Sequence, residues 1–208
     1  MAALATVVFQ TLDSKHDQDG QPPPALVVEV KKQDGLVRAF YGQKMEDPDT
    51  SVLCTEWSSL EAAQVYSSSS SPPLAVSLGI VMRETKAFKL GTASSSFLSG
   101  VDAGRVFEAP CTEVFTAFDA EPGFMGNCER FLAMVDGARP DGYLGGALGA
   151  VEEEEDGGKK MVGMVIGWTS KEAHLEAKGK PGAIQDNIHE LRTLRRAVDL
   201  FHVGFKQL

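Results

Sequence analysis

Residues 57–63 read W-S-S-L-E-A-A, and residues 168–174 read W-T-S-K-E-A-H. In each stretch a β-rich run ends on tryptophan, a hydroxyl residue follows, and a glutamate comes three positions after that. Ser58 and Thr169 are suited to cap a helix. Glu61 and Glu172 are placed to close a capping box, in which the hydroxyl oxygen accepts a backbone N–H and the glutamate reaches back. A chain that writes one strand end and helix start twice is predicted to hold two copies of one unit.

The repeat extends outward from these stretches. A-T-V-V-F-Q-T-L-D (5–13) matches C-T-E-V-F-T-A-F-D (111–119), and both are apolar on both faces, as central strands are. D-G-L-V-R-A-F-Y-G (34–42) matches D-G-Y-L-G-G-A-L-G (141–149), each opened by an Asp-Gly turn. The spacing grows between Gly149 and Trp168, where Glu152 to Asp156 and Gly157-Gly158 read as a solvated hairpin loop. Both halves end in a strand, at 79–90 and 198–208. Between them T-A-S-S-S-F-L-S-G-V-D-A-G (92–104) has the composition of a linker. Phe124, Cys128, Phe131, Leu132 and Val135 recur at three and four residues, which predicts a helix with one apolar face. Its counterpart is P-A-L-V-V-E-V-K-K-Q (24–33). The β-branched content there argues for a strand, but the repeat and Pro24 in a first helical turn argue for a helix.

Strand, helix, strand, strand, helix, strand is the ferredoxin-like order. The expected fold class is α+β, with two tandem βαββαβ repeats. Residues 1–92 form the N-terminal repeat, 93–104 the linker and 105–208 the C-terminal repeat, closing into one intramolecular α+β barrel. A single such sheet leaves a face bare. A second copy on the same chain covers it without the concentration dependence of a true dimer. A pseudo-dimer within one chain is therefore expected, with further oligomerisation open to it.

The net charge of −9 and pI of about 4.9 oppose a nucleic-acid partner. The densest basic run, Arg192, Arg195 and Arg196, reads as a solvated helix face. No run of 18 apolar residues occurs, so no membrane-spanning segment is predicted, and the start M-A-A-L-A-T-V-V-F reads as a strand rather than a signal peptide. Cys54, Cys111 and Cys128 form no CxxC, which fits a reducing, cytoplasmic setting.

The second half carries W-T-S-K-E-A-H-L-E-A-K (168–178), I-Q-D-N-I-H-E-L (184–191) and V-D-L-F-H-V-G-F (198–205). It resembles the antibiotic-biosynthesis-monooxygenase-like proteins of the dimeric α+β barrel superfamily, most of all the tandem, fungal-type members. The resemblance covers the last 45 or so residues; the repeat carries the rest. It implies a cofactor-independent enzyme acting on an aromatic or polyketide-like small molecule by oxygenation, cyclisation or isomerisation. The alternative is a non-catalytic, small-molecule-binding or stress-response barrel. The first half departs from the pattern. It has Ala63 in place of the E-A-H histidine, and Y-S-S-S-S-S-P-P (66–73) where the second helix should continue. Its pocket reads as decayed.

Three of four histidines, His174, His189 and His202, fall in the second half; His16 lies in a polar loop. Histidine is the side chain best placed to exchange a proton near neutral pH. His202, in the last strand, is the candidate general base, or else a core histidine hydrogen-bonded to its neighbours. Tyr143, Trp168, His174 and His189 are the candidate substrate-binding residues, though core packing is the first reading of both tryptophans, and a structural or exposed place that of His174 and His189. No H-E-x-x-H or i, i+4 histidine pair occurs, so no metal and no cofactor is expected. No G-x-S-x-G elbow supports a serine nucleophile, and cysteines in strands read as buried and inert. G-G-A-L-G (145–149) precedes no helix and is not a phosphate loop. Its missing side chains allow a close backbone approach, or room for a ligand beside Tyr143.

Overall fold

The two tryptophan stretches do start helices, one residue later than the capping-box reading places them. The computed structural model describes residues 5–13, 20–68, 81–91, 103–150 and 161–208. His16, most of the linker and the acidic run Glu152–Asp156 lie outside these residues. Trp57 ends β3 (Thr50–Trp57) and Trp168 ends β7 (Val162–Trp168). The helices that follow are α2 (Leu60–Ser68) and α4 (Lys171–Gly179). Ser59 Oγ accepts the Ala62 N–H at 3.1 Å, and Ser170 Oγ accepts the Ala173 N–H at 3.1 Å. The caps are therefore Ser59 and Ser170, with alanine three residues on, and no capping box forms.

The one-residue shift has a local cause. The Ser58 N–H donates to the Gly35 carbonyl at 2.9 Å, and the Thr169 N–H donates to Gly142 at 2.8 Å. The residue after each tryptophan is thus tied to the turn that opens the neighbouring strand, and the helix begins beyond it. Gly35 and Gly142 hold φ of +81° and +82°, a region that favours glycine. A Cβ on Gly142 would also meet Ala173 Cβ at 2.6 Å and Thr169 Oγ1 at 2.7 Å. The Asp-Gly pairs and the tryptophan stretches therefore repeat together because each is one side of a single contact.

The chain divides into two units. One holds Ala5–Lys89 together with Val203–Leu208, and the other holds Leu90–His202. In the first, β1 (Ala5–Asp13), α1 (Pro24–Lys31), β2 (Leu36–Gln43), β3, α2 and β4 (Val81–Gly91) follow in the ferredoxin-like order. The sheet order is β4-β1-β3-β2, and the short β9 (Lys206–Gln207) adds antiparallel to the β2 edge. Segment 24–31 is helical, with Pro24 in its first turn: tertiary burial of Leu26 and Val30 outweighs β-propensity. The second unit opens with a 3-10 turn at Ala103–Glu108. It then runs β5 (Cys111–Phe118), α3 (Phe124–Ala138), β6 (Tyr143–Ala150), β7, α4 and β8 (Ala197–Val203). Its sheet order, β8-β5-β7-β6, is the same. A short helix, α5 (Ala183–Asn187), and a 3-10 turn at Ile188–Leu191 fill the connection before β8.

The α3 face Phe124, Cys128, Phe131, Leu132 and Val135 is buried against β5–β7. Each Phe or Leu so buried contributes about 1.5–3 kcal/mol. A Cβ on Gly146 would meet Leu132 Cδ1 at 2.6 Å. Of the two readings of the glycine strand, close approach holds at Gly146, whose space is taken by α3. β2 and β6 share one further irregularity, a register shift at Leu36/Arg38 and at Tyr143/Gly145. Among the described residues no helix is long and apolar enough to cross a membrane. Cys54, Cys111 and Cys128 are all buried.

Candidate functional site

The interior of the C-terminal unit holds four polar or aromatic side chains from four elements. β5 contributes Glu113, the end of β7 Trp168, the first turns of α4 His174, and β8 His202. Glu113, His174 and His202 are 6%, 4% and 2% exposed, in a region where an unpartnered polar group is costly. The Ser170 cap sets where α4 begins and so places His174 one turn inside it. His174 Nδ1 lies 2.8 Å from His202 Nε2, so one ring donates and the other accepts. The Trp168 indole N–H donates to Glu113 Oε2 at 3.1 Å. His174 stacks on Trp168, with centroids 5.1 Å apart and planes at 22°. Tyr143 meets Trp168 edge-on at 5.7 Å and donates its hydroxyl proton to Asp136 at 3.4 Å.

Three of the four candidate substrate-binding residues, Tyr143, Trp168 and His174, are thus brought together with His202. His189 is not. It sits on the exposed 3-10 turn at Ile188–Leu191, with Nδ1 3.1 Å from the Asp186 carbonyl oxygen. Glu113 was not among the candidates drawn from the sequence. Its signal was nonetheless in the repeat, where T-E-V-F in β5 carries a carboxylate and the corresponding run of β1, T-V-V-F, has only valines beside its threonine and phenylalanine. A carboxylate in the middle of a strand that is apolar in the other copy marks a position doing something other than packing.

The N-terminal unit shows the same scaffold without the cluster. Val8, opposite Thr55 as Glu113 is opposite Ile166, stands where the other copy has Glu113, and Ala63 where it has His174, both fully buried. The Trp57 indole N–H donates to Thr55 Oγ1 at 3.0 Å instead of to a carboxylate. Tyr66 packs on Trp57 at 4.6 Å and donates its hydroxyl to Gln10 Oε1 at 2.7 Å, occupying this part of the interior.

Burial decides the electrostatics. It raises Glu113 to about 7, opposed by the Trp168 hydrogen bond and the Lys178 charge. Burial lowers His174 to about 4, assisted by the charges of His202 and Lys178. The two approach to 3.6 Å, His174 Nε2 to Glu113 Oε2, yet at neutral pH His174 is uncharged, so this is not an ion pair. The two shifts act on stability with opposite signs. Glu113, raised, stabilises below its unfolded value near 4.5 and loses that contribution as pH rises through about 7. His174, lowered, stabilises above its unfolded value near 6.5 and loses that contribution as pH falls through about 4. Neither owes its shift to the other, so single variants should expose each slope. In chelator-containing buffer, Glu113→Gln should lose stability on acidification from pH 6.5 to 4. His174→Gln should lose stability on going from pH 4.5 to 7, each by at most about 3 kcal/mol. Denaturant titrations across this range check the pair; parallel slopes in the two variants would refute the assignment.

A cleft of about 360 Å³ opens elsewhere on the unit, between the turn at Pro140–Gly142, α4 and α5. Thr169, Glu176 and Lys180 line it, and none of Tyr143, Trp168, His174 or His202 does.

No protein-family model matches the chain, and no curated protein matches it in sequence. Solved structures do match. An anthrone oxidase-like protein superposes with a TM-score of 0.63 at 14% identity, over 97% of this chain and 91% of that one. A candidate monooxygenase from Fusobacterium nucleatum gives 0.60 at 14% identity, over 100% and 95%. Another from Lactobacillus acidophilus gives 0.55 at 9%, over 98% and 95%. The chain has their fold. It is the ferredoxin-like fold of the dimeric α+β barrel proteins, built here from two copies of one topology.

Proposed function

We propose that the chain is a small-molecule enzyme acting on an electron-rich aromatic, polyketide-like substrate without an organic cofactor, and that its reaction belongs to the C-terminal unit. The observation that carries this reading is the asymmetry between the halves. Glu113, His174 and His202 assemble in one copy, while the other copy folds with Val8 and Ala63 at the matching positions. A fold that stands without these groups does not need them for packing. The names of the structural neighbours support oxygenation as the reaction class. His202 removes a proton from an acidic C–H or phenol, and the resulting anion reduces dioxygen. For an anthrone, the methylene and one O₂ become a carbonyl and water. Tyr143 and Trp168 present aromatic surface beside the base, and the dry interior strengthens the electrostatics. Since His202 is 2% exposed, the substrate reaches it when a covering segment opens. The tandem copies are taken to act as a pseudo-dimer in a single chain.

That same burial favours a second reading, a binding protein with a satisfied polar core. A panel of anthrones and polyphenols separates the two. Oxygen uptake or product formation above the uncatalysed rate is expected. Saturable binding with no turnover on any member would establish the second reading.

A further inference from the structure

We propose that Glu113, His174 and His202 bind one divalent transition-metal ion of the zinc class. One donor atom from each residue can be chosen so that all three lie within 4.8 Å of one another. The donors come from β5, α4 and β8, three separate elements of one unit. Two imidazole nitrogens and a carboxylate suit Zn²⁺, Co²⁺ or Fe²⁺, whereas Ca²⁺ and Mg²⁺ prefer all-oxygen sets. Bonds of about 2.0–2.2 Å place ligand atoms about 3–3.5 Å apart. The His174–His202 nitrogens, at 2.8 Å, are close to that spacing. The ion takes the place of the proton they share, and the Glu113 carboxylate closes the set.

The surroundings are those of ligands held in place. The Trp168 indole fixes the Glu113 carboxylate at 3.1 Å and its ring lies flat against His174. Groups behind metal ligands characteristically do both, orienting the donor and tuning its basicity. The N-terminal unit lacks the glutamate and the α-helical histidine at the matching positions. One ion per chain is therefore the expected stoichiometry. The inference stands apart from the aromatic reaction. An ion would take the lone pair that His202 uses as a base, so the two are alternative states of one cluster.

Co²⁺ is the probe, titrated into the full chain after stripping with chelator. The wild type is expected to bind one equivalent, to develop visible d–d absorption, to melt at a higher temperature and to release the cobalt to Zn²⁺. Glu113→Gln and His174→Gln should each weaken binding 10-fold or more, and His189→Gln should leave it unchanged. Absence of saturable binding by the wild type overturns the proposal, as does binding that survives both cluster variants. Should a cluster variant fail to melt cooperatively, proton NMR of the Co²⁺-loaded wild type decides instead. Paramagnetically shifted ring protons from two imidazoles support the site, and signals from one or none overturn it. No substrate enters this experiment, so its outcome is independent of the aromatic panel.

Discussion

His202→Gln is expected to lose about 10²- to 10⁴-fold in turnover on the aromatic substrate, with its melting transition held within a few degrees of the parent. Glutamine is the informative replacement because of what surrounds the ring. His202 is buried and its Nε2 meets His174 Nδ1 at 2.8 Å. The amide can still donate or accept there, but it has no basicity near neutral pH. His202→Ala confuses the two effects. It removes the base and also leaves a buried imidazole without its partner, at a cost of about 1–3 kcal/mol. Turnover and melting measured on both variants therefore separate chemistry from packing. If His202→Gln keeps full activity, the base assignment fails. His189→Gln should be silent in both measurements, since His189 is exposed and remote from the cluster's hydrogen bonds.

What the sequence made legible was what the repeat wrote twice. The strand order, the two main helices of each copy and the apolar face of α3 follow from periodicity and from matched turns. The helix at 24–31 was reached against its own β-propensity, because the second copy fixed what the first had to be. The cap position was not legible. The serine chosen depends on a hydrogen bond from Ser58 or Thr169 to a glycine carbonyl in another turn, and no local window contains that contact.

The site shows the same limit. His174 and His202 are 28 residues apart in sequence, and Glu113 is farther still from either. Their meeting is a product of the β8-β5-β7 strand order and of the α4 start, which spacing alone does not encode. Histidine counting found two of the three polar groups and also took in His189, which faces solvent. The glutamate could have been found by asking where the two copies differ in polarity at a position predicted to be buried. Val8 against Glu113 and Ala63 against His174 are such positions, and both belong to the cluster or its vacated counterpart. In a tandem protein, a polar substitution in one copy's core is a sharper pointer than any motif, because the other copy is a control for the fold.

The same control sets the expectation for the tryptophans. Trp168→Ala should cost the C-terminal unit about 3–5 kcal/mol, the range for emptying a fully buried aromatic site. It removes the surface on which His174 stacks and against which Tyr143 packs edge-on. Trp168→Phe isolates the polar part of that loss. A phenyl ring refills much of the volume, but Glu113 Oε2 then lacks the indole N–H that holds it at 3.1 Å. That hydrogen bond pulls the Glu113 pKa down, so its loss should drive the carboxyl further up from about 7. Carboxyl-selective NMR titration reads that movement directly. Trp57→Phe in the N-terminal unit is the matched control. There the abandoned acceptor is the Thr55 hydroxyl, which still donates to the Val8 carbonyl at 3.4 Å and carries no charge. Trp57→Phe should therefore cost less than Trp168→Phe by about 1 kcal/mol or more, because a buried carboxyl left short of a donor is the costlier orphan. Equal losses in the two units, with an unmoved Glu113 titration, would mean that the tryptophan serves packing alone in both copies.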